Sequence, residues 1–214
     1  MFNYPSKEVL HKVLKKVNIV HGIHTDVGKT YTTGLFINLM QLKFKENFAV
    51  KPIISGFSEN NWQESDNYHL LSSFGIVPSF DDARAISRYI FQNPLSPDVA
   101  SWREGIEIDF DEVITFCRNW IAKLPSDGRI FIEMAGGVCT PASNFHTMAD
   151  ISRALCGEDC CNILVARPYL GAISHTLSSL NVLKFDVLAF NQSDENFRTS
   201  VANHLKYDLK VLEV

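Results

Sequence analysis

The sequence predicts an α/β fold, with a mainly parallel central sheet flanked by helices in three layers. Three observations predict it. Strand-like and helix-like stretches alternate along the 214 residues, the pattern of a parallel sheet covered by helices. The chain is 46% hydrophobic and 21% charged, which suits one domain with a substantial core. Near the start, the apolar run Val17-Asn18-Ile19-Val20 leads into Gly22-Ile23-His24-Thr25-Asp26-Val27-Gly28-Lys29-Thr30, and Tyr31 to Leu42 then reads as a helix. Strand, glycine-bearing loop, Gly-Lys-Thr and helix form the layout of a phosphate-binding loop, so the fold expected is P-loop NTPase-like.

That loop has a physical logic. Backbone N–H groups of the loop and of the helix N-terminus converge on one spot and favour an anion there. Lys29 would reach the β- and γ-phosphates, and the Thr30 hydroxyl would sit on Mg²⁺. The spacing departs from G-x-x-x-x-G-K-[ST]: Ile23 takes the place of the first glycine, and Gly22 stands one residue early. The plain alternative is a helix N-terminus with a glycine entry and an exposed lysine.

Charge and composition narrow the class. The net charge of −4 gives no basic footprint for nucleic acid. No apolar run approaches the roughly 20 residues of a membrane span, and residues 1–16 lack the apolar core of a signal peptide. Those residues are expected to form an N-terminal extension or short surface helix, ahead of a single domain over 17–214. Five cysteines, an odd number, point to reduced thiols and a cytoplasmic protein. Cys156, Cys160 and Cys161 cluster without a C-x-x-C spacing, so buried or idle thiols are the expectation and a metal site the outside reading.

After the first helix, Phe48 to Ile54 is a β-rich run that breaks at Ser55-Gly56. Lys51 and Ser55 therefore fall near a strand's carboxyl end, where open α/β sheets bind ligands; a solvated lysine is the ordinary alternative. In Glu64 to Leu71, Ser65 or Asp66 could cap a helix, or Asp66 could bind metal. Asp81 to Arg84 reads as a charged loop. Tyr89-Ile90-Phe91 reads as a short strand entering the turn Asn93-Pro94-Leu95-Ser96-Pro97. Phe110 to Leu124 has helical spacing, with Val113, Ile114, Phe116, Cys117 and Trp120 inward.

Arg129-Ile130-Phe131-Ile132-Glu133 is a buried strand ending in an acid, followed by Met134-Ala135-Gly136-Gly137. A carboxylate there can hold a cation, and paired glycines let backbone approach a ligand; a strand-end acid before a turn is the plain reading. Asn162 to Arg167 is another strand. Leu170 to Thr176 opens a helix whose N-terminus is a candidate anion site, with His175 as a helix residue. Phe185 to Asn191 is a further strand, Phe197 to Leu205 a helix, and Leu209 to Val214 an edge strand.

Taken in order, Thr25-Asp26-Val27-Gly28-Lys29-Thr30, Lys51-Pro52-Ile53 with Ser55-Gly56, Ser65-Asp66, Pro94-Leu95-Ser96-Pro97, Ile132-Glu133-x-Ala135-Gly136-Gly137 and Leu170-Gly171-Ala172-Ile173-x-His175-Thr176-Leu177 resemble the dethiobiotin synthetase family. The resemblance runs from about Val17 to Asn191. It implies a Mg²⁺-dependent ligase of biotin synthesis that carboxylates 7,8-diaminononanoate with CO₂, phosphorylates the carbamate with ATP and closes a cyclic urea. It further implies that Thr30, Asp66 and Glu133 hold the metal, and that Thr25, Ser55 and Lys51 face the diamine or its carbamate. Lys29 and Lys51 would neutralise the transferring phosphoryl. Asp26, Val27, Gly28, Lys29, Thr30, Gly136 and Gly137 would line the ATP site, with Asn191 reading adenine. The family is a homodimer, so Gly171, Ala172, Ile173 and Ser174 would reach the substrate carboxylate of the neighbouring subunit.

The sequence also departs from the family. Ile23-His24 replaces Thr-Asp, Met134 replaces Gly, Ser174 replaces Asn, and Asp98 replaces a His. No Pro-containing base-binding segment follows Tyr207. Two other classes fit the same loop: a relative that binds nucleotide with altered or no turnover, and a partitioning-type switch ATPase. The second carries a lysine where this chain has His24.

Overall fold

The computed structural model describes residues 4–214. Six parallel strands form the central sheet in the order β2-β5-β1-β6-β7-β8: β1 (Val17–Gly22), β2 (Phe48–Val50), β5 (Ile130–Gly137), β6 (Cys160–Ala166), β7 (Val187–Phe190) and β8 (Lys210–Glu213). β1 lies at the centre, pairing with β5 through Ile19↔Ile132 and with β6 through Ile19↔Asn162. Every β1 residue is buried, the polar Asn18 and His21 included, so burial does not alternate along the strand, as expected of a sheet covered on both faces. The core runs through β1, β5 and β6 with Phe36, Phe131, Phe185 and Phe190 fully enclosed, each such ring contributing about 1.5–3 kcal/mol by burial. β8 is the edge strand expected at the C-terminus. No helix among the described residues is long and apolar enough to cross a membrane.

Helices cover the sheet: α1 (Lys7–Val13), α2 (Lys29–Met40), α3 (Asp66–Ser72), α4 (Phe80–Ala85), α5 (Pro97–Glu104), α6 (Phe110–Ala122), α7 (Met148–Leu155), α8 (Ala172–Val182) and α9 (Glu195–Ala202). α1 lies within residues 1–16, of which 1–3 are outside the described residues. In α6 the inward set holds, with Val113, Ile114 and Cys117 buried and Phe116 and Trp120 packed against the core.

Several expectations change. The run from Phe48 to Ser55 is two strands in two sheets: β3 (Ile53–Ser55) leaves the main sheet and pairs in parallel with β4 (Tyr89–Phe91). Pro52 has no N–H for a ladder, and the Lys51 N–H bonds the Ile86 carbonyl at 3.0 Å instead. Asp81 to Arg84 is helical, not a loop, because Ser79 and Asp82 form a reciprocal capping box at the start of α4. α5 and α7 were not anticipated. Pro97 opens α5 at a position where a missing N–H costs nothing, and the Asp150 carboxylate accepts from the Thr147 N–H (2.8 Å) and hydroxyl (2.7 Å) to fix the start of α7. The thiol expectation is also corrected. Cys156 and Cys160 form a disulfide across the turn into β6, while Cys117, Cys139 and Cys161 are free.

Candidate active site

The loop between β1 and α2 is shaped by two residues with left-handed backbone. Asp26 has φ of 58° and Gly28 of 90°. A Cβ at Gly28 would fall 2.0 Å from Asn191 Nδ2, so only glycine fits. Gly22 explains the displaced motif: a Cβ there would sit 2.7 Å from the His24 carbonyl oxygen. The close backbone approach is therefore made at Gly22, and Ile23 is free to be a core residue, 6% exposed.

Lys29 and Thr30 begin α2. Lys29 is 6% exposed and donates to the His24 carbonyl at 3.3 Å. It is a buried cation, not the exposed or mobile one a loop lysine suggests. Burial, then the neighbouring Lys51, lowers its pKa to about 8, against the pull of Glu133 and Asp66.

Lys51 leaves the end of β2 and lies between two carboxylates. It is 6% exposed, bonds Glu133 Oε1 at 2.7 Å and makes a short ion pair with Asp66 Oδ2. Burial alone would disfavour its ammonium, but Glu133 and Asp66 outweigh that and hold its pKa above the usual lysine value. Asp66 feels burial in the opposite sense, yet Lys51 and the Thr30 hydroxyl keep its pKa below the usual carboxylate range. Asp66 is not the helix cap. Ser65 is, accepting from the Tyr68 N–H at 3.3 Å, which leaves the Asp66 carboxylate free for the site.

The Thr30 hydroxyl stands 2.8 Å from Asp66 Oδ1 and 3.0 Å from Glu133 Oε1. It has one proton and cannot donate to both, so oxygen acceptors crowd here with Lys51 as their counter-charge. Glu133 is 1% exposed, and its Oε2 has no hydrogen-bond partner. Two carboxylates and a hydroxyl, with one buried oxygen unsatisfied, form a hard-oxygen set that fits Mg²⁺ completed by phosphate and water. Among the described residues no group of three or more His, Cys, Asp or Glu side chains is arranged so that it could hold a metal ion.

These groups face a cleft of about 760 Å³. The structure brings Thr25, Asp26, Gly28, Lys29, Thr30, Lys51, Ser55, Asp66, Glu133 and Gly136 to its walls. The Ser55 hydroxyl is buried without a partner. Gly137 is strand backbone beside it, its N–H donating to Thr140 Oγ1 at 2.8 Å. β5 thus continues through both glycines rather than stopping at the acid. Val27 sits inside the core, 1% exposed. The cleft's far wall is Pro94 to Pro97 with Thr140 and Pro141. Thr140 and Pro141 were missed, though a Thr-Pro pair three residues past Gly-Gly is a readable turn.

Two expected groups are placed differently. Asn191 does not stand open for a base. Its Nδ2 donates to the Val27 carbonyl at 2.9 Å, inside the loop, while Oδ1 is buried and unpaired. One of the two Nδ2 hydrogens is thus committed to the loop backbone at the Val27 carbonyl. Gly171, Ala172, Ile173 and Ser174 do not reach this cleft. They line a separate surface depression with Leu170 and Leu177.

A phosphate-binding loop at the centre of a parallel sheet, with lysine, threonine and two acids at the strand ends, defines a P-loop nucleotide-using protein. A family model described as an AAA domain matches residues 16–207. The ATP-dependent dethiobiotin synthetase BioD of Phenylobacterium zucineum is 35% identical over 165 residues, 77% of this chain and 69% of that protein. The enzyme of the same name from Acidiphilium cryptum is 35% identical over 161 residues, 75% of this chain and 70% of that one. The chain belongs to the dethiobiotin synthetase family. Among solved structures, hydrogenase maturation factor HypB of Archaeoglobus fulgidus superposes with a TM-score of 0.52 at 13% identity, over 97% of this chain and 85% of that one. The signal recognition particle receptor FtsY of Elizabethkingia anophelis gives 0.50 at 14%, over 92% of this chain and 55% of that one. Both show the fold alone.

Proposed function

We propose that this protein is an ATP-dependent cyclo-ligase that converts 7,8-diaminononanoate and CO₂ to dethiobiotin. One amine of the substrate adds to CO₂ and loses a proton, giving a carbamate. A carbamate oxygen attacks the γ-phosphorus of ATP, releasing ADP and leaving a carbamic-phosphoric anhydride. The second amine attacks the carbonyl carbon, and inorganic phosphate leaves as the cyclic urea closes.

The observation that carries this reading is the Lys51 ammonium held by Glu133 and Asp66 beside Thr30 and Lys29. Carbamate phosphorylation joins two anions, so positioning and charge neutralisation matter more than a strong base. Lys29 would bind the β- and γ-phosphates, and Lys51 the carbamate and transferring phosphoryl. Thr25 and Ser55 would hold the amines. Thr30, Asp66 and Glu133 would hold Mg²⁺, which supplies further positive charge to the phosphates when bound. Asn191 would serve the ATP site by bracing the phosphate loop, its Nδ2 donating to the Val27 carbonyl. Gly171 to Ser174, outside their own cleft, would serve the substrate carboxylate of a second subunit in a homodimer. We place the ligase domain at 17–214 and the protein in the cytoplasm. Incubation with diaminononanoate, bicarbonate and ATP tests the proposal: ADP, phosphate and the cyclic urea should appear in equal amounts, and phosphate release indifferent to the diamine would contradict it.

A further inference from the structure

Three aromatic rings outside the cleft join two loops that the reaction needs together. His24 belongs to the phosphate loop. Tyr169 and His175 flank the Gly171–Ser174 segment and the first turn of α8. The His24 ring lies 5.7 Å from the Tyr169 ring and 6.4 Å from the His175 ring, nearly parallel to the latter at 10°. The Tyr169 hydroxyl meets His175 Nδ1 at 2.7 Å, so the three rings form one cluster.

His24 is fixed at its other end as well. Its Nδ1 lies 3.0 Å from the Thr25 carbonyl, which can only accept, so Nδ1 carries the proton and the ring plane is set by its own loop. The His24 carbonyl in turn receives Lys29 Nζ. One residue thus meets the phosphate-binding lysine through its backbone and, through its ring, the two aromatic residues that flank the Gly171–Ser174 segment. Leu170, just before that segment, is fully exposed.

We infer that His24 is a positioning residue that sets the Gly171–Ser174 segment relative to the phosphate loop, through a ring clasp with Tyr169 and His175. The functional part of this inference rests on the proposed function, in which that segment receives the substrate carboxylate.

The test uses the full-length protein and the variants His24→Ala, His24→Phe, His175→Ala and the double alanine. Removing the His24 ring should raise the KM for the diamine roughly 2–10-fold, the span of one aromatic contact, with the KM for ATP within about twofold. His24→Phe, which keeps a ring, should restore the diamine KM. The double variant should be little worse than the worse single one, because both break the same clasp. Amide hydrogen exchange over 169–175 should quicken in His24→Ala and not in His24→Phe, a readout that needs no turnover. Effects that multiply, that fall on the ATP KM, or that leave exchange unchanged overturn the inference. If the unaltered protein lacks the ligase activity, the proposed function fails and the exchange comparison alone decides the clasp.

Discussion

Replacing Lys51 by Met removes, at nearly constant volume, the only cation among the described residues that pairs with Glu133. Glu133 is 1% exposed, so its charge would be left in the interior beside Asp66. Breaking a buried pair by deleting one partner typically costs about 3–5 kcal/mol. Asp66, whose side chain is 46% exposed, adds little because water screens it. Lys29 lies close enough to compensate in part, which favours the lower end of the range. For a chain of this length each kcal/mol moves the melting temperature by roughly 2–4 °C, so Lys51→Met should melt roughly 6–20 °C lower in EDTA. Mg²⁺ is the discriminating addition. A divalent cation on Thr30, Asp66 and Glu133 would replace the lost charge, so millimolar Mg²⁺ should recover at least half of the loss, and far less in Lys51→Met with Glu133→Gln. The assay is thermal unfolding with and without Mg²⁺. A single variant that melts within about 2 °C of the unaltered protein, or that ignores Mg²⁺, would refute both the buried-pair energetics and the metal set.

Lys29→Met should abolish turnover yet stabilise the ligand-free protein by about 1–3 kcal/mol at pH 7, since a folded pKa of about 8 marks a buried cation that the fold disfavours. Denaturant titration reads this directly, and the advantage should shrink as pH rises from 8 toward 10.5, where the unfolded lysine also loses its proton. His21, fully buried with its pKa lowered to about 3 by burial and then by Lys29, binds a proton only in the unfolded chain between pH 6.5 and 3. Stability should therefore fall as pH drops through that window, by about 2 kcal/mol at pH 5 from this residue, and His21→Gln should flatten the profile. With Asn191 buried beneath the phosphate loop, one Nδ2 hydrogen on the Val27 carbonyl and Oδ1 enclosed, preference for ATP over GTP or CTP in kcat/KM should stay below roughly 100-fold, about 2.7 kcal/mol. A larger ratio would mean that residues not identified here read the base.

The parallel sheet was legible because its strands are buried on both faces and bounded by punctuating glycines and prolines. The site was legible where chemistry requires a residue type at a strand end: Lys29 and Thr30 after β1, Lys51 after β2, Glu133 within β5. What stayed hidden was decided by contacts distant in sequence. That Asn191 braces Val27, 164 residues away, has no local signature. Neither does the clasp of His24 with Tyr169 and His175, whose rings read singly as surface side chains. The split of Phe48–Ser55 into two sheets turns on Pro52, which has no N–H for the ladder. α4 and α7 turned on the capping boxes of Ser79 with Asp82 and of Thr147 with Asp150. The Cys156–Cys160 disulfide ran against the expectation drawn from an odd cysteine count, which limits pairing to an even number and leaves open which thiols pair.

The most direct test follows one turnover with isotope-labelled bicarbonate, 7,8-diaminononanoate, ATP and Mg²⁺. The account predicts label in the urea carbonyl of dethiobiotin, with one ADP and one phosphate formed per ring closed, and no product from Lys29→Met or Glu133→Gln. ATP hydrolysis without incorporated label, or unchanged turnover in either variant, would contradict it.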